Sequence, residues 1–134
     1  MANYIASART SYVKVRDAEK FEEWASGICA DLQKIESEKH GTLYAFLFDQ
    51  DDCGAIPDSR YDESTDEFLE MDIFGEIQPH IADGWGISFV EAGAEKLRHV
   101  HGFAAVVTPS DIKLVDLCGW VNATMKDLEV EGWD

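Results

Sequence analysis

At 134 residues the chain has the length of one ordinary domain, and with 46% apolar residues, 7 Phe and 4 Trp among them, it can build a hydrophobic core. Its 27 Asp and Glu outnumber 11 singly scattered Lys and Arg, for a formal charge of −16. That balance excludes a basic face for direct contact with DNA, RNA or an anionic membrane. The longest apolar runs fall well short of the ~20 residues of a membrane span.

Residues 3–15 are β-branched and aromatic with small residues between them, which predicts a first strand. Asp17 follows as an N-cap, and Phe21, Trp24 and Ile28 recur at three- and four-residue steps, predicting a helix over 18–30. Lys39-His40-Gly41 marks a turn between a weak strand at 33–37 and a second strand, TLYAFLFD. Residues 50–66, rich in Asp and Ser with Gly54 and Pro57, read as a long loop. A short strand near 67–71 and a helix near 72–82 come next, with Pro79 placed to kink that helix. GISFVE is a strand, Ala92-Gly93-Ala94-Glu95 a turn, and KLRHVHGFAAVV the returning strand of a hairpin. A turn at Pro109-Ser110-Asp111 leads to the strand IKLVD. Leu117, Trp120, Val121, Met125 and Leu128 then share one face of a terminal helix over about 117–128. The sum is a single α+β domain spanning 1–134: an antiparallel sheet of five or six strands covered by two or three helices, with an acidic loop at 49–66.

The charge is clustered. Residues 49–76 hold eleven carboxylates and one base, Arg60, or 1 − 11 = −10 of the total. Such a density repels itself and disfavours the compact state, which points to a positively charged partner. On a strand, alternate residues lie about 6.6 Å apart, so carboxylates there approach, loosely, the spacing of nucleic-acid phosphates. The expected contacts are Asp51, Asp52, Asp58, Asp62, Glu63, Asp66, Glu67 and Glu70, with Tyr61 and Trp85 as aromatic anchors. The bland alternative is a solvated acidic loop that touches nothing. Trp24 and Trp120 lie on apolar helical faces and read as core, whereas Trp133, in the acidic tail, reads as an interface residue.

Other chemistry finds little purchase. Asp49, Asp51, Cys53 and Gly54 match the first half of a calcium loop, but Arg60 stands where its bidentate Glu belongs. His99 and His101 are two apart on a strand, on one face, and Leu97 and Phe103 share that face; a histidine pair without a further ligand is the reading, and a zinc protein or enzyme the alternative. There is no G-x-S-x-G, no H-E-x-x-H and no Gly-rich loop opening a helix, and Gly84-Trp85-Gly86 follows a helix rather than a strand. No enzyme activity, catalytic residue, metal or cofactor is expected. Cys29, Cys53 and Cys118 are odd in number and far apart, which suits free thiols in a reducing cytosol. MANYIASART lacks the basic flank and apolar core of a signal peptide, so a soluble, cytoplasmic protein is expected.

Three stretches, ARTSYVKVRDAEKFEEW (8–24), IQPHIADGW (77–85) and EAGAEKLRHVHGFAAVV (91–107), resemble a group of small acidic proteins carried on bacterial plasmids, phages and integrated elements. The likeness spans most of 4–107, while 108–134 is less typical. It implies a mobile-element protein acting in a bacterial host cell against host defence, as an anti-CRISPR or anti-restriction factor. Such factors are commonly DNA mimics or blockers of a nuclease complex. No site residue is implied by the likeness. An immunity-type protein neutralising a basic toxin makes the same charge expectation.

Overall fold

The computed structural model describes residues 5–48, 55–95 and 99–132, with the backbone alone at His99. Six strands form one antiparallel sheet in the order β2-β3-β1-β6-β7-β8: β1 Ile5–Thr10, β2 Asp31–Ser37, β3 Gly41–Leu47, β6 Ile87–Glu95, β7 His99–Val107 and β8 Ile112–Asp116. A separate hairpin pairs β4 Ser59–Asp62 with β5 Glu67–Glu70. The helices are α1 Ala18–Ala25, α2 Ile73–Ile77 with a 3-10 turn at Gln78–His80, and α3 Leu117–Asp127. β1 and β2 run parallel with β3 between them, so α1 is the crossover of a split β-α-β unit.

The α+β antiparallel architecture is the one the sequence predicts. Its boundaries differ in five places, each for a physical reason.

The first strand stops at Thr10 rather than 15, because hydroxyls take over the ladder. Thr10 Oγ1 accepts the Phe46 N–H (2.8 Å), and the Ser11 backbone and hydroxyl bond across to Ser88. Beyond that point only single bridges remain, Val13 to Tyr44 and Val15 to Ile81. Helix α1 begins where expected: the Asp17 carboxylate accepts the Lys20 N–H (3.2 Å). It ends early at Ala25, where the Ser26 hydroxyl bonds back to the Glu23 carbonyl.

Ala92-Gly93-Ala94-Glu95 is strand, not turn. These small residues pair with β1 on one side and β7 on the other, and two neighbouring ladders override their weak strand propensity. Within the predicted 50–66 loop, Ser59–Asp62 is a strand, drawn into pairing by the cross-strand aromatic pair Tyr61–Phe68. Pro79 ends α2 in a 3-10 turn.

α1, α2 and one sheet face enclose a single core. Phe21 packs on Tyr44 and Phe46, and Phe46, Phe48 and Phe89 form a stacked row at centroid spacings of 5.8 and 6.2 Å. Trp24 borders this core as expected, but Trp120 does not, being 58% exposed on a helix with no buried residue. Among the described residues, no helix is long and apolar enough to cross a membrane.

Phe46, 1% exposed, sits at the centre of the aromatic row. Phe46→Ala is expected to lower unfolding free energy by about 3–5 kcal/mol, read from urea denaturation. A loss below about 1.5 kcal/mol, the range of a volume-conserving swap, would contradict this placement of the core.

Candidate functional site

The β4–β5 hairpin gathers most of the carboxylates expected to meet a partner. Asp58 stands at its foot, Asp62, Glu63, Asp66 and Glu67 around its tip, and Glu70 on the returning strand. The tip is built by its own side chains. Asp62 accepts the backbone N–H (3.0 Å) and hydroxyl (2.7 Å) of Ser64, bonds that hold its carboxyl below the usual range. Asp66 takes a left-handed backbone (φ 54°), a conformation Asp tolerates better than most residues. Its carboxylate accepts the Tyr61 hydroxyl, and this bond pushes the phenol above its ordinary pKa.

The hairpin's strands alternate. Tyr61 and Phe68 pair edge to face on one side (5.5 Å), with Phe68 74% exposed. Arg60 and Leu69 occupy the other side, with Asp62 and Glu67. Asp62 stands directly opposite Glu67 in the register, a like-charge pair of the kind that disfavours a hairpin, and Arg60 on the same face adds to the Ser64 bonds in lowering the Asp62 carboxyl.

The hairpin is tied to the body at two levels. At its foot, the Met71 N–H closes the ladder on the Asp58 carbonyl (2.8 Å), and the Ile56 N–H ties the entering chain to Glu91 Oε1 (2.7 Å). Glu91 is a buried carboxylate that also faces His101 across 3.4 Å. Higher up, Glu76 accepts the Trp24 indole N–H (3.0 Å) and lies 3.7 Å from Arg60. Arg60, the one base of the acidic segment, thus joins hairpin, α1 and α2 at Glu76. An open groove of about 1100 Å³ runs between α1 and the hairpin, lined by Lys20, Trp24 and Ile28 from the α1 side and by residues of the hairpin, Arg60 and Leu69 among them.

Trp85 is half-buried: it packs against the core, edge-on to His40 at 5.0 Å, and does not stand on the hairpin. Asp51 and Asp52 lie outside the described residues, as do Asp49, Cys53 and Gly54 of the calcium frame and Trp133. His101 lies between Glu91 and Asp116 (3.8 Å), and the side chain of His99 is outside the described set. Among the described residues, no group of three or more His, Cys, Asp or Glu is placed to hold a metal ion. Cys29 and Cys118 are free and exposed.

Sequence reasoning missed Glu76 and Glu91, the two carboxylates that hold the hairpin in place. Arg60 was the available signal for Glu76, as a lone base among acids needs a partner. Glu91, on a strand face otherwise carrying Ile87 and Phe89, breaks the apolar alternation. Comparison of the chain with protein-family models, curated proteins and solved structures finds no match.

Under the groove, His80 stacks on Trp24 at 5.2 Å and meets the edge of Phe21 at 5.8 Å. Burial holds its imidazole below the ordinary 6.5, with the Asp17 carboxylate pulling partly the other way. The unfolded chain therefore binds this proton more readily than the folded one. Stability from the neutral ring is complete above about pH 6.5 and is lost as pH falls through the lower folded value. The urea midpoint is expected to fall over that window in the native protein and to fall less in His80→Phe. Equal declines would remove His80 from the account.

Proposed function

We propose that the protein is an acidic inhibitor that binds the basic nucleic-acid-binding surface of a host defence complex, in the manner of an anti-CRISPR protein and DNA mimic. The hairpin is the contact: Asp58, Asp62, Glu63, Asp66, Glu67 and Glu70 supply charge, and Tyr61 and Phe68 supply exposed aromatic surface.

The observation that carries this reading is the Asp62–Glu67 pair. Two carboxylates directly opposed across a hairpin destabilise it in isolation. A local choice that works against the fold is the mark of a residue kept for contact rather than stability. Arg and Lys of a nucleic-acid channel would relieve the repulsion on binding, and the encounter would be fast and salt-sensitive.

Glu63→Lys, Glu67→Lys and Glu70→Lys together test the reading. These positions spare the turn bonds of Asp62 and the strained backbone of Asp66. Association with the target complex is expected to slow by about 10–10³-fold, and inhibition of its nuclease to be lost, with far-ultraviolet circular dichroism unchanged. Full inhibition by the triple variant at moderate salt would refute the hairpin as the contact.

A further inference from the structure

The sheet has a second face, turned away from α1 and α2. On the four neighbouring strands β1, β6, β7 and β8 its register is fixed by the pairing. Ile5, Ala94 and Val100 form one row across it; Ser7, Ala92 and Gly102 the next; Arg9, Val90, Ala104 and Val115 a third; and Ser88, Val106 and Lys113 a fourth. None of the chain's 27 carboxylates stands in these rows, while two of its 11 bases do. In a chain this acidic, such an absence from one contiguous surface is a strong bias.

The face is also bare. Ile5, Val90, Val100, Val106 and Val115 are all exposed, Val100 by 63% and Val90 by 52%. Helix α3 begins against it: a Cβ at Gly102 would stand 2.1 Å from Leu117 Cδ1. Yet none of the 11 residues of α3 is buried, and Leu117, Trp120 and Val121, which share one stripe, remain largely in solvent. A helix below about 12–15 residues is marginal in water without a packed face, so α3 calls for a cover that the described residues do not supply.

We infer that this face, with the apolar stripe of α3, is the interface between two copies of the chain. Two quantities select a second copy as the occupant. With ordinary residue areas, the exposed fractions of these five sheet residues and three helix residues sum to roughly 800 Å², what each partner contributes to a standard-size interface and more than the ~300–600 Å² patch of a typical monomer. Charge is the second. Two chains of −16 repel wherever their carboxylates meet, and these four strands offer a surface where they do not. A two-fold axis through the face would bury the valine rows against each other and lay α3 of each copy along the partner's sheet. The inference stands apart from the hairpin reading, whose residues lie on the helix side of the sheet, and each can fail while the other stands.

Sedimentation equilibrium of the full chain tests it. The expected mass is twice the 15.0 kDa of one chain. Val90→Asp with Val106→Asp, at positions solvated in a single copy, is expected to return it to the single-chain mass with circular dichroism unchanged. A single-chain mass for the native protein across the micromolar range overturns the inference, as does a doubled mass that survives both substitutions in a folded variant. Should the variant unfold, hydrogen exchange of the native protein decides. Protection of β7, β8 and α3 that rises with concentration supports the interface, and protection independent of concentration refutes it.

Discussion

Everything in this structure depends on where −16 of net charge is put. A folded chain with 27 carboxylates and 11 bases repels itself, and only the burial of apolar surface opposes that repulsion. The solution is segregation. Among the described residues, the core between the helices and the sheet is uncharged apart from Glu91 at its rim, and only Thr10 joins Glu91 as a buried polar residue. The far face of β1, β6, β7 and β8 carries no carboxylate. Six of the 27 carboxylates, Asp58, Asp62, Glu63, Asp66, Glu67 and Glu70, are gathered on a two-stranded arm.

That arm is held without being neutralised. Arg60 is engaged by Glu76, and Glu76 in turn by the Trp24 indole, so the segment's one base docks the arm, while its charge joins the Ser64 bonds in lowering the Asp62 carboxyl at the tip. Glu91 fixes the entering chain at Ile56. The tip then organises itself through Asp62–Ser64 and Tyr61–Asp66 bonds. Those bonds consume some acceptor capacity of Asp62 and Asp66 but leave Glu63, Glu67 and Glu70 exposed. Such an arm has its conformation set within the chain itself, and a preset conformation lowers the ordering penalty of any association.

Much of the fold was legible because local signals and tertiary context agreed. Asp17 before Phe21, Trp24 and Ile28 marked α1, and the alternation through IKLVD marked β8. The arm's first strand was not legible, since Asp and Ser around Arg60-Tyr61 read as loop and only the distant Phe68 makes Tyr61 part of a ladder. Ala92–Glu95 failed for the opposite reason: weak propensity is overruled when both edges of a strand are paired. Trp120 shows the limit of periodicity. Its spacing correctly marks an apolar stripe on α3, but a stripe says that something covers it and not whether the cover belongs to the same chain. For the candidate site, composition located the acidic segment and its carboxylates. The face opposite the helices was invisible beforehand, because the absence of carboxylates from it emerges only when four separated strands are placed side by side.

The account stands or falls on whether the acidic arm occupies a nucleic-acid channel. The most direct measurement is capture of the protein's partner from nuclease-treated lysates containing CRISPR effector complexes, at low and high salt and with competing duplex DNA. The account predicts a partner held at low salt, released at high salt and displaced by DNA, as expected when charge-assisted contacts dominate. A partner that withstands both salt and DNA would contradict it, and would place the binding energy on an apolar surface away from the arm.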